Sequence, residues 1–231
     1  MLPRTCKVAL LNIGKPVPVL CADGSSFTSS IAGRRPVDHP VRLEPEGFVG
    51  DACAGRMHHG EYMRVNAFCL AHYPAMEEFA GRQLPRPAMG ENLSLEGVTD
   101  ADIRVGDVLR SPGGAVMHVT QPREPCSNVP RFLGVPGMLK WLVAQPLTGF
   151  YLRVLTAGDV APGDELEFIE HGPAEWTIER LNKAMYQEIA DAEQVARLLE
   201  LAPLSPRWKA SLAKLAERQQ ANAPHGTQTP S

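Results

Sequence analysis

Gln121–Pro130 reads QPREPCSNVP, and its single cysteine, Cys126, stands among three prolines, Pro122, Pro125 and Pro130. Each proline fixes φ, removes a backbone donor and biases the preceding residue toward extended geometry. The stretch therefore reads as a stiff loop that is neither helix nor central strand. Arg123 lies three residues before the thiol, close enough to favour its thiolate if both side chains point the same way. A rigid loop that presents a thiol beside a guanidinium suits a nucleophile, a sulfur carrier or a soft-metal ligand. Free cysteine is also among the most buried residue types, so a core thiol is the competing reading. Local sequence leaves both open.

Outward from this loop, the 231 residues suffice for one sizeable core plus an appendage. The net charge of −3 argues against a general nucleic-acid or anionic-membrane binder, which would show a basic excess. The 21 prolines and 20 glycines favour many short strands over long helices. The five cysteines (6, 21, 53, 69, 126) are scattered, odd in number and contain no CxxC pair, so no disulfide framework is expected and a reducing compartment is. No signal peptide and no stretch long enough to span a bilayer is read, which points to the cytoplasm.

Taken in order, Cys6–Ile13 is an apolar run bounded by Gly14 and Pro16 and reads as a buried strand. Lys15–Pro40 reads as a polar excursion with a short hairpin, and Val41–Leu43 as a strand. Gly47–Asp51 (GFVGD) is a turn signal. The turn Arg56–Gly60 carries His58 and His59, but the spacing is not HExxH. Cys69-x-x-His72 is the only second pair nearby, so a zinc site is not expected there. Val65–Leu70 alternates as a strand, and Pro74 opens a helix that turns Met76, Phe79 and Ala80 to one face. Met89–Leu93 (MGENL) enters a strand, its Gly90-Glu91-Asn92 corner offering close backbone approach, a carboxylate and an amide. Ile103–Leu109 reads as strand, tight turn, strand, and Pro162–Leu166 repeats its Gly-Asp-x-Leu pattern. Ala115–Thr120 runs straight into the Cys126 loop. Pro136–Ala144 reads as an amphipathic helix, and Gly149–Thr156 and Glu165–Ile169 as strands. Residues 1–171 thus hold eight to ten short strands with two inserted helices, which implies a β-barrel or strongly bent sheet.

After Gly172-Pro173 the period becomes helical. Ile178, Leu181, Ala184 and Met185 form one stripe, Asp191-x-x-Gln194 resembles a capping box, and Ser205-Pro206 opens a third helix with Trp208, Leu212 and Leu215 at i, i+4, i+7. Residues 172–221 are therefore a three-helix appendage, too small to bury a core alone, expected to dock on the barrel or on a second copy in a homodimer. Residues 222–231 are polar and read as a disordered tail.

The order GFVGD, His-rich turn with Arg64, MGENL, VGDVL, QPREPC, GFYLRVL and APGDELE resembles the MOSC superfamily, and with the three-helix tail it is most similar to the YiiM-type bacterial branch. One departure is His58-His59-Gly60 where His-Gly-Gly is usual, with extra residue length before Arg64. The resemblance implies an α+β fold: a MOSC-type β-barrel with short inserted helices and the C-terminal appendage. It implies that Cys126 carries the chemistry, as ligand of a molybdenum cofactor (molybdopterin), in a reductase of N-hydroxylated compounds such as hydroxylaminopurines. Arg123, Arg64 and Arg131 are the candidates for the cofactor's phosphate, because guanidinium matches phosphate geometry. Gly90, Glu91 and Asn92 are candidates for the pterin edge, and His59 for proton delivery. No plant-type iron–sulfur spacing and no GxGxxG after a strand is present, so a separate electron-donor protein is implied. The competing readings are a sulfur carrier holding a persulfide on Cys126 and a non-catalytic binding module in which Cys126 merely packs.

Overall fold

A computed structural model describes residues 4–21, 24–54, 60–187 and 192–222. The strands are β1 (Thr5–Ile13), β2 (Val17–Leu20), β3 (Ser26–Ser29), β4 (Arg35–Val37), β5 (Val41–Glu44), β6 (Gly47–Phe48), β7 (Val65–Cys69), β8 (Leu93–Glu96), β9 (Val108–Arg110), β10 (Val116–Pro122), β11 (Phe150–Thr156), β12 (Gly158–Val160) and β13 (Glu165–Glu170). The helices are α1 (Tyr73–Ala80), α2 (Asn128–Leu133), α3 (Met138–Ala144), α4 (Ile178–Tyr186), α5 (Ala192–Glu200) and α6 (Pro206–Asn222).

The main sheet runs β13-β9-β10-β11-β7-β8-β1-β4, and β1 also pairs with β13, which closes seven strands into a barrel. All of its pairings are antiparallel except β7–β8, so the barrel is mixed. Closure leaves no open edge on those seven strands. The inward side chains fill the interior, among them Val8, Leu11, Leu43, Leu93, Leu109, Met117, Val119 and Leu152. β7 does not alternate as its sequence suggests: all five residues are buried. Its outer face is covered too, by a second cluster in which Phe68 meets Tyr73, Met76, Val129, Met138 and Leu142 from α1, α2 and α3.

The polar excursion forms the hairpin β2–β3, with Val17 opposite Ser29 and Leu20 opposite Ser26. The Val105-Gly106-Asp107 corner differs from the reading above: β9 follows it, but its N-terminal side contributes only an isolated bridge, Arg104 to Thr177. That backbone is taken instead by the appendage, Val105 N donating to Trp176 O at 3.0 Å and Ile178 N to Ile103 O at 2.8 Å.

The cysteine loop is also shorter than its prolines imply. β10 extends through Gln121 and Pro122, which pair with Tyr151 and Phe150, and α2 begins at Asn128 and contains Pro130. Both prolines sit where a missing N–H costs little, one at a strand's last residue and one in a helix's first turn. The irregular part is Arg123–Ser127.

The three C-terminal helices dock on the barrel. Trp176, Ile178, Leu181, Leu198, Leu204, Trp208 and Leu212 belong to the same apolar cluster as the barrel interior. Ser205 caps α6 as expected, its Oγ accepting from Trp208 N at 3.2 Å. The apolar stripes of these helices are therefore buried against the barrel of the same chain. Trp208 is fully buried, so Trp208→Ala is expected to lower stability by about 3–5 kcal/mol in chemical denaturation. A loss below about 1 kcal/mol would mean that the appendage is only loosely attached.

Asp191 of the expected capping box lies outside the described residues, as does the expected disordered tail apart from Asn222, the end of α6. All five cysteines are free thiols. No helix among the described residues is long and apolar enough to cross a membrane.

Candidate functional site

β10 ends at Pro122 beside the start of β11, so the chain leaves the barrel at one rim and carries Arg123 and Cys126 across it. Arg123 N donates to Gly149 O at 2.9 Å, which pins the root of the loop to the residue before β11. At the same rim stand Asn66 from β7, Gly90 and Asn92 from the link before β8, and Arg34 from the link after β3. Together with Cys53, Arg64, Tyr151 and residues 28–31 they line a cavity of about 180 Å³. A second cavity of about 260 Å³ adjoins it and shares Cys53, Met63 and Arg64 in its wall.

Arg123 is 4% exposed, and its Nε and Nη1 have no hydrogen-bond partner. Nε of Arg64 is likewise buried without a partner. A buried guanidinium with no carboxylate beside it is costly unless an anion completes it. The wall is thus cationic and under-satisfied on the side where Cys126 stands, its Sγ only partly buried and touched by Asn128 N at 3.5 Å.

The opposite wall is rigid. Arg34 makes a two-pronged pair with Asp51, Nε to Oδ1 at 2.9 Å and Nη2 to Oδ2 at 2.6 Å, with both side chains below a tenth exposed. Burial opposes the charge on Arg34, but the Asp51 carboxylate outweighs it and holds the guanidinium above its ordinary pKa. Arg34 also donates to Gly90 O and, from Nη2, to Cys53 Sγ at 3.4 Å. Asp51 further accepts from Gly14 N at 3.1 Å and Asn92 Nδ2 at 3.0 Å. Burial pushes the Tyr151 phenol up, against the pull of Arg123, so it stays protonated at neutral pH.

The sequence-derived candidates separate on this geometry. Cys126, Arg123, Arg64, Gly90 and Asn92 come together in the cavity wall. Gly90 adopts φ +67°, and a Cβ there would lie 2.7 Å from Ile31 Cγ1, so only glycine lets residues 28–31 close on this corner. Asn92 braces more than it presents: Nδ2 donates to Asp51 and to Asn12 O, and Oδ1 accepts from Asn66 N at 3.1 Å.

Glu91 is a correction. It points away from the cavity and is fully buried, accepting from Tyr73 Oη at 2.7 Å, Ser94 Oγ at 3.1 Å and Met89 N at 3.1 Å. Asn92 lines the cavity and Glu91 does not. Burial raises the Glu91 pKa against those donors. Arg131 is a second correction: it is exposed on α2, its guanidinium 4.2 Å from the Phe27 ring centroid and its Nη2 3.4 Å from Ser25 Oγ, outside the cavity wall. His59 lies outside the described residues.

Sequence reading passed over Arg34, Asp51, Cys53 and Tyr151 as site residues. GFVGD flagged Asp51 only as part of a turn, and nothing local marks Arg34.

Arg123→Ala is expected to weaken binding of a phosphate-bearing ligand about ten- to a hundredfold, as loss of a charge-assisted contact does. Thermal stability of the ligand-free protein should stay level or rise, because an uncompensated buried charge is removed. Titration calorimetry with a pterin phosphate, alongside a melting curve, checks both. Unchanged affinity would remove Arg123 from the site.

The MOSC domain family matches residues 54–167, and the YiiM-like three-α-helix domain family matches residues 176–219. YflK of Bacillus subtilis (strain 168) is 37% identical over 212 residues, covering 91% of this chain and 95% of that protein. A protein named reductase from Gibberella moniliformis is 27% identical over 67% of this chain, which spans only 28% of that protein's length. The crystal structure of YiiM from Geobacillus stearothermophilus superposes with a TM-score of 0.77 at 28% identity, covering 91% of this chain and 99% of that one. With its closed seven-stranded barrel and its docked helical tail, the chain belongs to the MOSC family and carries the YiiM-like three-helix domain.

Proposed function

We propose that this chain is a molybdenum-cofactor-dependent reductase of N-hydroxylated small molecules, hydroxylaminopurine-type base analogues among them. The observation that carries the reading is the presence, in one cavity wall, of the Cys126 thiol and the buried guanidinium of Arg123, whose Nε and Nη1 have no hydrogen-bond partner. Family membership and the relative named reductase support it.

The residues present fit a molybdopterin group. Cys126 offers a soft thiolate for the metal. Arg123 and Arg64 offer unsatisfied cationic donors for the phosphate, and Gly90 lets residues 28–31 close against the cavity wall. When bound, the group supplies the two-electron chemistry that cleaves the N–O bond. The balance is R–NHOH plus two electrons and two protons giving R–NH2 and water. The chain's own part is positioning and proton handling. Cys126 would hold the metal through its sulfur. Tyr151 keeps the proton on Oη, so it can donate to a ligand oxygen without carrying charge. Arg34, locked by Asp51, holds Gly90 and the Cys53 side of the wall in place. The electrons come from a separate reductase protein, and cytoplasmic residence follows from the same reading.

The test uses full-length chain from a host with a complete cofactor pathway. Metal and pterin analysis should find about one molybdenum per chain, and a reduced viologen dye should drive conversion of hydroxylaminopurine to the amine. Protein that retains no molybdenum but carries a labile extra sulfur on Cys126 would overturn this reading in favour of sulfur carriage.

A further inference from the structure

Behind the barrel wall that holds Arg123 lies a group of side chains that lines neither cavity. Cys69 ends β7, a 3₁₀ turn over Leu70–His72 follows, and Asp100 stands in the link between β8 and β9. All three are buried, and one ligand atom from each lies within 4.8 Å of the others. The Cys-x-x-His spacing alone was no argument for a metal. The tertiary fold adds a carboxylate to it.

We propose that Cys69, His72 and Asp100 form a metal site for one zinc-type divalent cation, distinct from the Cys126 cavity. Three features of the geometry carry this. First, His72 Nε2 lies 3.0 Å from Asp100 Oδ1 yet has no hydrogen-bond partner. The two atoms are close without being aligned on each other, as two ligands converging on a shared third atom are. Second, Cys69 Sγ lies 3.7 Å from the same Oδ1. Zinc bonds of about 2.0 Å to nitrogen and oxygen and about 2.3 Å to sulfur place tetrahedral ligand atoms about 3.3 to 3.5 Å apart, within a few tenths of an ångström of the 3.0 and 3.7 Å found. Third, Asp100 Oδ2 is turned the other way and accepts from Thr148 N at 3.2 Å and Gly149 N at 3.1 Å. The carboxylate is thereby oriented with Oδ1 toward the cluster, the kind of outer support that metal-ligating carboxylates have.

The charges also balance. A thiolate, a carboxylate and a neutral imidazole cancel a divalent cation, so the core gains no net charge. The thiol proton leaves on binding, and the three side chains supply three of the four positions of a tetrahedral centre. The ligand set is mixed sulfur, nitrogen and oxygen, which suits zinc better than magnesium or calcium.

The cation would brace the site and take no part in the reaction. Asp100 holds Gly149 N, and Gly149 O holds Arg123 N at 2.9 Å. A Cβ at Gly149 would lie 2.4 Å from Ala67 O, so this junction has no slack. The metal thus ties β7, the β8–β9 link and the root of the Arg123 loop together.

The experiment takes the full-length chain after chelator dialysis, adds zinc chloride, removes excess by gel filtration and counts metal. A variant with Cys21, Cys53 and Cys126 all changed to serine excludes the partly exposed thiols. That variant should retain about one zinc per chain, and adding Cys69→Ser should lower retention at least about tenfold. Because Cys69→Ser in a packed core could disturb folding, cobalt(II) gives a second readout. The triple-serine variant should show the thiolate-to-cobalt charge-transfer band and the visible bands of a tetrahedral centre. No zinc retained by the triple-serine variant, equal retention without Cys69, or no cobalt–thiolate band would each overturn the site. None of these readouts depends on molybdenum.

Discussion

Cys126→Ala is expected to lose its molybdenum and at least about a hundredfold in dye-driven reduction of N-hydroxylated substrate, while folding stability stays within about 0.5 kcal/mol of wild type. The two halves of this expectation have separate causes. Cys126 is only partly buried and belongs to neither of these apolar clusters, and among the described residues its sulfur receives one long hydrogen bond, from Asn128 N at 3.5 Å. Removing it therefore leaves no cavity in the core and no buried donor without a partner. The loss of function instead follows from the loss of the thiol that shares the cavity wall with Arg123. Cys126→Ser should fall between the two, since a hydroxyl is a harder and weaker ligand for the metal. Elemental analysis, turnover and a melting curve on the same preparations decide it. Wild-type molybdenum content in Cys126→Ala would sink the ligand role, and a large fall in Tm would return Cys126 to the status of a packing residue.

The second large effect belongs to Asp51. Asp51→Ala is expected to cost about 3–5 kcal/mol, because it leaves the Arg34 guanidinium buried and unpaired. At about 2–4 °C per kcal/mol for a chain of this size, the fall in Tm is about 6 to 20 °C. The carboxylate also accepts from Gly14 N and Asn92 Nδ2, so its loss strips partners from three elements at once. The double change Arg34→Met with Asp51→Leu should recover most of that stability, since removing both charges removes the desolvation penalty along with the attraction. It should not recover ligand binding, because Arg34 no longer holds Gly90 O and the Cys53 side of the wall. Calorimetric melts of the single and double variants test the coupling. An Asp51→Ala loss under about 1 kcal/mol would show that the pair is solvated in solution.

Much of this molecule is written in short-range pattern. Strand-period runs, turn glycines and the helical stripe after Gly172 locate the barrel strands, the β2–β3 hairpin and the three terminal helices, because these depend on neighbours a few residues apart. The cysteine stretch is equally local: Arg123 and Cys126 are three residues apart, and both reach the cavity. Gly90 belongs with them, since a corner at φ +67° is glycine's own signal.

What local pattern could not convey is which way a polar side chain faces once the barrel closes. Glu91 and Asn92 are adjacent and similar in kind, yet Glu91 serves a buried latch with Tyr73 and Ser94 while Asn92 serves the rim, because closure sets opposite faces to core and cavity. Arg131 and Arg123 are the same residue type within nine positions, but one stands exposed on a helix and the other is buried with its Nε and Nη1 unpartnered. Arg34 and Asp51 meet across 17 residues, and Cys69 and Asp100 across 31. Contacts of that separation form only when strands register around the closed barrel, so composition and spacing carry no trace of them, and it is they that hold the walls around the cavity in place.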